Sequence, residues 1–146
     1  MVRDWVIEIG RGVGPLTFGM SKKAVLSLLG EPSYKIEDTG GLVYSKLGVL
    51  CGFDAQSGRL TGIEVDPSHD FRLHGSNLPI ELSALMQALR PFGVHLSAED
   101  STRSCYIDDE KGVMVFVEDG QVDAVVFGVQ FDKDGDNIVW PSTQEA

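Results

Sequence analysis

The sequence predicts an α+β fold: a tandem repeat of a strand–helix–antiparallel-strands unit, with its helices packed on one face of an antiparallel sheet. Three observations predict it. Two amphipathic helical segments lie sixty positions apart, with Val25 and Leu29 on one and Leu85 and Leu89 on the other. Each is followed by short β-rich runs separated by turn residues, and connections this short favour antiparallel hairpins over parallel crossovers. Finally, GVLCGFDAQSGRLTGIEV at 48–65 lies against GVMVFVEDGQVDAVVF at 112–127, with the second turn two residues shorter. A period this long exceeds that of solenoid repeats, so two copies with a shared core are expected. The first spans 1–67, and the second spans 68–146 with acidic loops and a C-terminal hairpin.

Composition agrees with a globular chain. Of 146 residues, 42% are hydrophobic and 23% are charged, which is ordinary for a soluble domain. No apolar run is long enough to span a bilayer. The first residues place Asp4 and Glu8 among apolar neighbours. They contain no apolar core of a signal peptide, so a cytoplasmic location is expected.

Taken in order, Asp4–Ile9 alternates as a strand with Trp5, Ile7 and Ile9 on one face. The glycines of Gly10–Pro15 lack both the phosphate-loop and the dinucleotide spacing, so they read as a turn. Ser21 is a natural N-cap for a helix whose buried face carries Val25, Leu28 and Leu29. Gly30 and Pro32 end it. Lys22 and Lys23 sit in its first turn, where the helix dipole disfavours cations. Strand candidates follow at Ser33–Asp38, Leu42–Lys46, Val49–Asp54 and Leu60–Val65, and Asp66-Pro67-Ser68 reads as a linker. The second half repeats the order: Phe71–Leu73, a turn at Gly75-Ser76-Asn77, then a helix with Pro79 at or near its first turn. Leu82, Leu85, Met86 and Leu89 form its face, and Pro91 stops it. Strands at Val94–Ser97, Ser104–Ile107, Val113–Val117 and Val122–Phe127 complete the set. Asp132 to Asp136 then reads as a hairpin turn joining Val129–Phe131 to Ile138–Trp140.

This repeated helix-on-sheet unit resembles that of the beta-lactamase inhibitory proteins, a likeness of topology across most of the chain. The opening GPLTFGMSKKAVLSLLGEP also resembles the helix of the small SmpA/OmlA-type outer-membrane assembly lipoproteins. Such lipoproteins require a lipidated cysteine behind a signal peptide, and the secreted inhibitors carry disulfides within each repeat. This chain has one cysteine in each half, Cys51 and Cys105. Neither membrane assembly nor beta-lactamase inhibition therefore carries over. The resemblance implies a scaffold that presents a sheet face and loops to another protein.

Net charge is −10 and is unevenly spread: residues 1–97 hold ten acids and nine bases, residues 98–146 twelve acids and three bases. A field of one sign repels nucleic acid and attracts basic partners. No metal or redox motif surrounds the cysteines, which read as buried thiols, with a disulfide between the halves as the alternative. His69, Asp70 and His74 lie in the linker at spacings that share no helix face, and His95 is the only other histidine. Asp132-Lys133-Asp134-Gly135-Asp136 begins like a calcium loop, but Asn137 and Thr143 stand where an EF-hand needs Gly and Glu. No nucleophile elbow is present, so an enzyme is not expected, and no cofactor is. The expected partner-binding residues are Asp108, Asp109, Glu110, Glu118, Asp119, Asp132, Asp134 and Asp136, with Tyr106 and Trp140 as aromatic anchors. The function expected from them is protein binding and inhibition: an immunity protein that neutralises a basic bacterial toxin, or, on the same fold, an adaptor or assembly protein.

Overall fold

The computed structural model describes residues 5–99, 101–102 and 104–141. In chain order these form β1 (Trp5–Glu8), β2 (Gly12–Val13), β3 (Leu16–Thr17), α1 (Lys22–Leu29), β4 (Tyr34–Lys35), β5 (Leu42–Tyr44), β6 (Val49–Phe53) and β7 (Leu60–Val65). There follow β8 (Phe71–Leu73), β9 (Ser76–Asn77), α2 (Leu82–Leu89) with a 3-10 turn at Arg90–Phe92, β10 (Ser97–Ala98), β11 (Cys105–Asp108), β12 (Val113–Glu118) and β13 (Gln121–Gly128). A small hairpin, β14 (Gln130–Phe131) and β15 (Ile138–Val139), completes the described chain. Antiparallel sheet thus dominates, with two short helices, and the class is α+β. Among the described residues no helix is long and apolar enough to cross a membrane.

Short turns set the main sheet. Asp119 and Gly120 both have positive φ, 54° and 79°, the geometry of a tight hairpin whose twist matches its strands. Short turns make two meanders, and the last strands of the two, β7 and β13, pair antiparallel. The result is one eight-stranded sheet in the order β10-β11-β12-β13-β7-β6-β5-β4. Successive side chains alternate between its faces. On one face, Tyr44, Val49, Val65, Val125, Val115 and Tyr106 lie in register across six strands. A second row on that face holds Leu42, Cys51, Ile63, Phe127 and Val113. These rows, Tyr106 at their margin, share a buried cluster with Val25 of α1 and with Leu85 and Leu89 of α2. Each fully buried Val, Leu or Phe side chain contributes roughly 1.5–3 kcal/mol.

A smaller five-stranded sheet, β3-β2-β1-β8-β9, joins the two stretches of chain a second time. Its central pair is parallel, with Trp5 opposite Phe71. Those two rings meet edge to face, with centroids 6.1 Å apart, a geometry worth ~1 kcal/mol beyond burial. The linker segment is tied down. Pro67 is buried, and the Asp66 carboxylate accepts from the Ser68 N–H at 3.0 Å and from its hydroxyl at 2.7 Å.

Backbone contacts recur along the chain. Ser21 bridges Arg59, and Glu81 bridges Gln121. The Leu60 N–H donates to the Met20 carbonyl at 2.8 Å, and the Val122 N–H to the Ile80 carbonyl at 2.7 Å. Both meanders shift register at matching places, after Gly52 and after Phe116.

Helix α1 is capped as expected, the Ala24 N–H donating to Ser21 Oγ at 3.1 Å. Its buried face differs from expectation. Val25 is fully buried, Leu26 and Leu29 pack against the cluster, and Leu28 is 37% exposed. At 100° per residue, Leu28 falls about 110° from the centre of the stripe set by Val25, Leu26 and Leu29. Lys22 offsets its unfavourable place by lying over the Phe53 ring, 5.3 Å from the centroid. In the second helix Pro79 lies ahead of the first turn, because Glu81 is still extended and bridged to Gln121. Ser76 and Asn77, expected in a turn, pair back on β8. The turn falls one step earlier, where His74 takes φ 56°. The strand expected at Val94–Ser97 is replaced by β10 at Ser97–Ala98, since Val94 and Leu96 are drawn into the core. Ser33–Asp38 contracts to the two residues of β4.

The cysteines occupy distant strands. Three strands separate β6 from β11, about 19 Å at sheet spacing, so Cys51 and Cys105 cannot be bridged. Both are buried, and burial pushes the Cys51 thiol up to about 12.

Gly112 fixes where the β11–β12 turn meets the end of β13. Its φ is 70°, and a Cβ there would lie 2.5 Å from the Gly128 carbonyl oxygen. Gly112→Ala is expected to cost about 2–3 kcal/mol through left-handed strain and this clash, measured by urea unfolding. A loss below about 0.5 kcal/mol would show that the turn relaxes freely.

Candidate protein-binding surface

Because the meander reverses at every turn, the tips of β11–β12 and β12–β13 lie at opposite ends of β12. That strand has six residues, so the tips are about 17 Å apart. Glu118 and Asp119 therefore stand away from Asp108, Asp109 and Glu110. The β14–β15 tip, by contrast, comes beside the β11–β12 tip. Asp109, Glu110, Phe131, Asp132, Lys133 and Asp134 line one cleft of ≈ 460 Å³ between them. Phe131 is 49% exposed at its wall.

Hydrogen bonds tie the β11–β12 tip to the chain that leads into the β14–β15 hairpin. The Gly128 N–H donates to the Gly112 carbonyl at 2.6 Å, and Gln130 Nε2 donates to the Lys111 carbonyl at 3.4 Å. Asp108 works inward. Its Oδ2 accepts from the His95 N–H at 2.6 Å and its Oδ1 from the Lys111 N–H at 3.2 Å. Asp132 organises its own turn in the same manner. Its Oδ1 accepts from the Asp136 N–H at 3.2 Å and its Oδ2 from Asn137 Nδ2 at 3.0 Å. The Asn137 side chain, with the neighbouring backbone N–H groups, holds the Asp132 carboxyl below its ordinary range. Asp109, Glu110, Asp134 and Asp136 are exposed and, among the described residues, their carboxylates have no hydrogen bond or ion pair. So the six acids of these two tips divide into two whose carboxylates shape the turns and four that face solvent.

The aromatic residues have structural contacts. Tyr106 packs against the buried cluster from the inner row. Trp140 lies over the Arg59 guanidinium, 5.9 Å from its ring, and its ring also covers Gly19. Arg59 in turn donates to the Gly19 carbonyl at 3.5 Å. Trp140 thereby fastens the end of the described chain to the residues just before α1. The histidines stay apart: His69 is 3.9 Å from Asp66, His74 meets the Phe92 ring, and the His95 backbone serves Asp108. Among the described residues no three His, Cys, Asp or Glu side chains gather as a metal site.

On the outer face of the large sheet, residues outside the expected binding set come together. There Tyr34, Val43, Leu50, Glu64, Asp66 and Asp123 line a shallow depression of ≈ 330 Å³. Burial raises the Glu64 carboxyl above its ordinary range, and the nearby Asp123 adds to the shift. The available signal was apolar residues at consecutive positions, as in Leu42-Val43-Tyr44 and Val125-Val126-Phe127, which give a strand two apolar faces.

Two carboxylate variants separate the roles. Asp108→Ala leaves the His95 and Lys111 N–H groups without their acceptor and should cost about 1–3 kcal/mol. Asp109→Asn should stay within about 0.5 kcal/mol in the same urea titration. Equal effects would contradict the division. Asp132, whose carboxyl is depressed, contributes stability above the ordinary carboxylate range that is lost as pH falls through its lowered value. The Asn137 side-chain amide signals should therefore lose their dispersion at acid pH before the core signals do.

Comparison with family models, with curated proteins and with solved structures finds no match.

Proposed function

We propose that this protein is a non-enzymatic, protein-binding inhibitor, an immunity protein that neutralises a basic bacterial toxin in the cytoplasm. The observation that carries the reading is the cleft between the β11–β12 and β14–β15 tips, where the solvent-facing carboxylates of Asp109, Glu110 and Asp134 surround one exposed phenylalanine. A basic segment entering it would find Asp109, Glu110 and Asp134 uncommitted, with Phe131 as an apolar wall and the exposed Asp136 further along the same turn. Lys133 lies in the same cleft, and it limits the field without reversing it. Exposed charges of this sort contribute little affinity singly, about 0–1 kcal/mol each. Their collective effect is on encounter, through a field that steers an oppositely charged partner. The recurring bridges, carbonyl contacts and register shifts support a tandem duplication with both helices on one face of the sheet. Such a scaffold holds loops rigidly enough to preorganise a binding surface.

Affinity capture from the source cells, followed by association kinetics with the recovered partner, tests the reading. The expected partner is basic, and its association rate should fall steeply between low and high salt. Replacing the four outward carboxylates together (Asp109→Asn, Glu110→Gln, Asp134→Asn, Asp136→Asn) should slow association about tenfold or more while thermal stability stays near that of the parent. Salt-insensitive association would overturn the electrostatic argument.

A further inference from the structure

An antiparallel sheet with one face in the core ordinarily turns polar residues outward on the other. The large sheet departs from this. On its outer face Val43, Leu50, Glu64, Val126, Met114 and Ile107 lie in register across six neighbouring strands. The five apolar members are part-exposed, and none belongs to the buried cluster or packs against it. Tyr34, 60% exposed, extends the row to the β4 edge. Beside it, Gly52, Gly62 and Gly128 are paired across β6, β7 and β13. None has a positive φ, and a Cβ on Gly62 would meet nothing. The fold does not demand glycine there, and in a strand interior glycine leaves room for another chain to approach.

Glu64 is the one charged member of the row. It is paired with Val126 on one side and Leu50 on the other. Among the described residues its carboxylate has no hydrogen bond or ion pair, and no Lys, Arg or His lines the depression it shares with Asp123 and Asp66, although His69 lies 3.9 Å from Asp66 outside that lining. A part-desolvated carboxylate among apolar side chains costs folding stability unless it is paired.

We propose that this outer face docks a segment of a partner protein carrying a lysine or arginine between apolar side chains. The cationic head meets Glu64, Asp66 and Asp123, and its methylene stem and apolar neighbours lie along Leu50 and Val126. Charge complementarity selects this occupant: a second copy of the chain would set carboxylates against carboxylates, a repulsive juxtaposition. The proposal rests on the protein-binding reading above and gives it a second contact surface, separate from the acidic tips.

The test follows backbone-amide and methyl NMR signals of the full chain on titration with a synthetic peptide alternating lysine with leucine, and with its glutamate–leucine counterpart. The expected result is shifts at Val43, Leu50, Met114 and Val126 with the lysine peptide only. Glu64→Gln should then weaken binding about tenfold, the worth of one charge-assisted hydrogen bond. Glu64→Val, which continues the apolar row, should do the same while preserving the folded spectrum. Shifts confined to Asp109, Glu110 and Asp134 would overturn the sheet-face proposal and leave the acidic-tip reading standing. No shifts at either surface would overturn the proposal too, while capture of a basic partner would still decide the earlier reading. Concentration-dependent shifts of the same methyls without peptide would overturn it in favour of self-association.

Discussion

The antiparallel pairing of β7 with β13 is the constraint on which the other arrangements depend. It sets Val65 against Val125 and Ile63 against Phe127, and through them both buried rows run unbroken from one meander to the other. Without that seam each meander would end in an exposed strand edge, a template for unwanted pairing. The seam also fixes register. A slip of one residue would turn Val65, Ile63, Val125 and Phe127 outward and bring Glu64 and Val126 into the core. The cost of burying an unpaired carboxylate holds the register where it is. The parallel contact of β1 with β8 acts as a second fastening, so the two stretches of chain are joined twice around one buried cluster.

What could be read from the letters was what neighbouring residues decide. Leu60–Val65 and Phe71–Leu73 match β7 and β8 at both ends, because β-branched and aromatic runs between Gly, Pro and Asp leave little choice. The Ser21 cap and the Asp119-Gly120 turn are likewise local chemistry. Elements decided by distant partners were not legible. Ser76 and Asn77 resemble turn residues, and only pairing with Arg72 and Leu73 makes them a strand. Val94 and Leu96 have strand propensity but are buried in the core instead. Leu28 fits the helical spacing, yet the direction of Val25 into the cluster leaves it outside.

The acidic surface shows the same division at the level of single atoms. Asp108 and Asp109 are adjacent and chemically alike, but one carboxylate holds the His95 backbone and the other faces water. The difference is made by a residue thirteen positions earlier, which no local pattern reveals. Asp132 and Asp134 differ for the opposite reason: Asn137 is close in sequence, and its side-chain bond to Asp132 closes the turn. The outer sheet face required the register of six strands before its apolar row existed as a surface at all.

Cys51 sits second in one buried row, on the strand next to the seam. Its sulfur is shut away, and burial pushes its ionisation up to about 12, so almost no thiolate exists near neutrality. Alkylating reagents and oxidants thus have nothing to attack while the sheet is closed. Modification of this side chain would record the moments when the strands part, making Cys51 an internal clock for the opening of the fold.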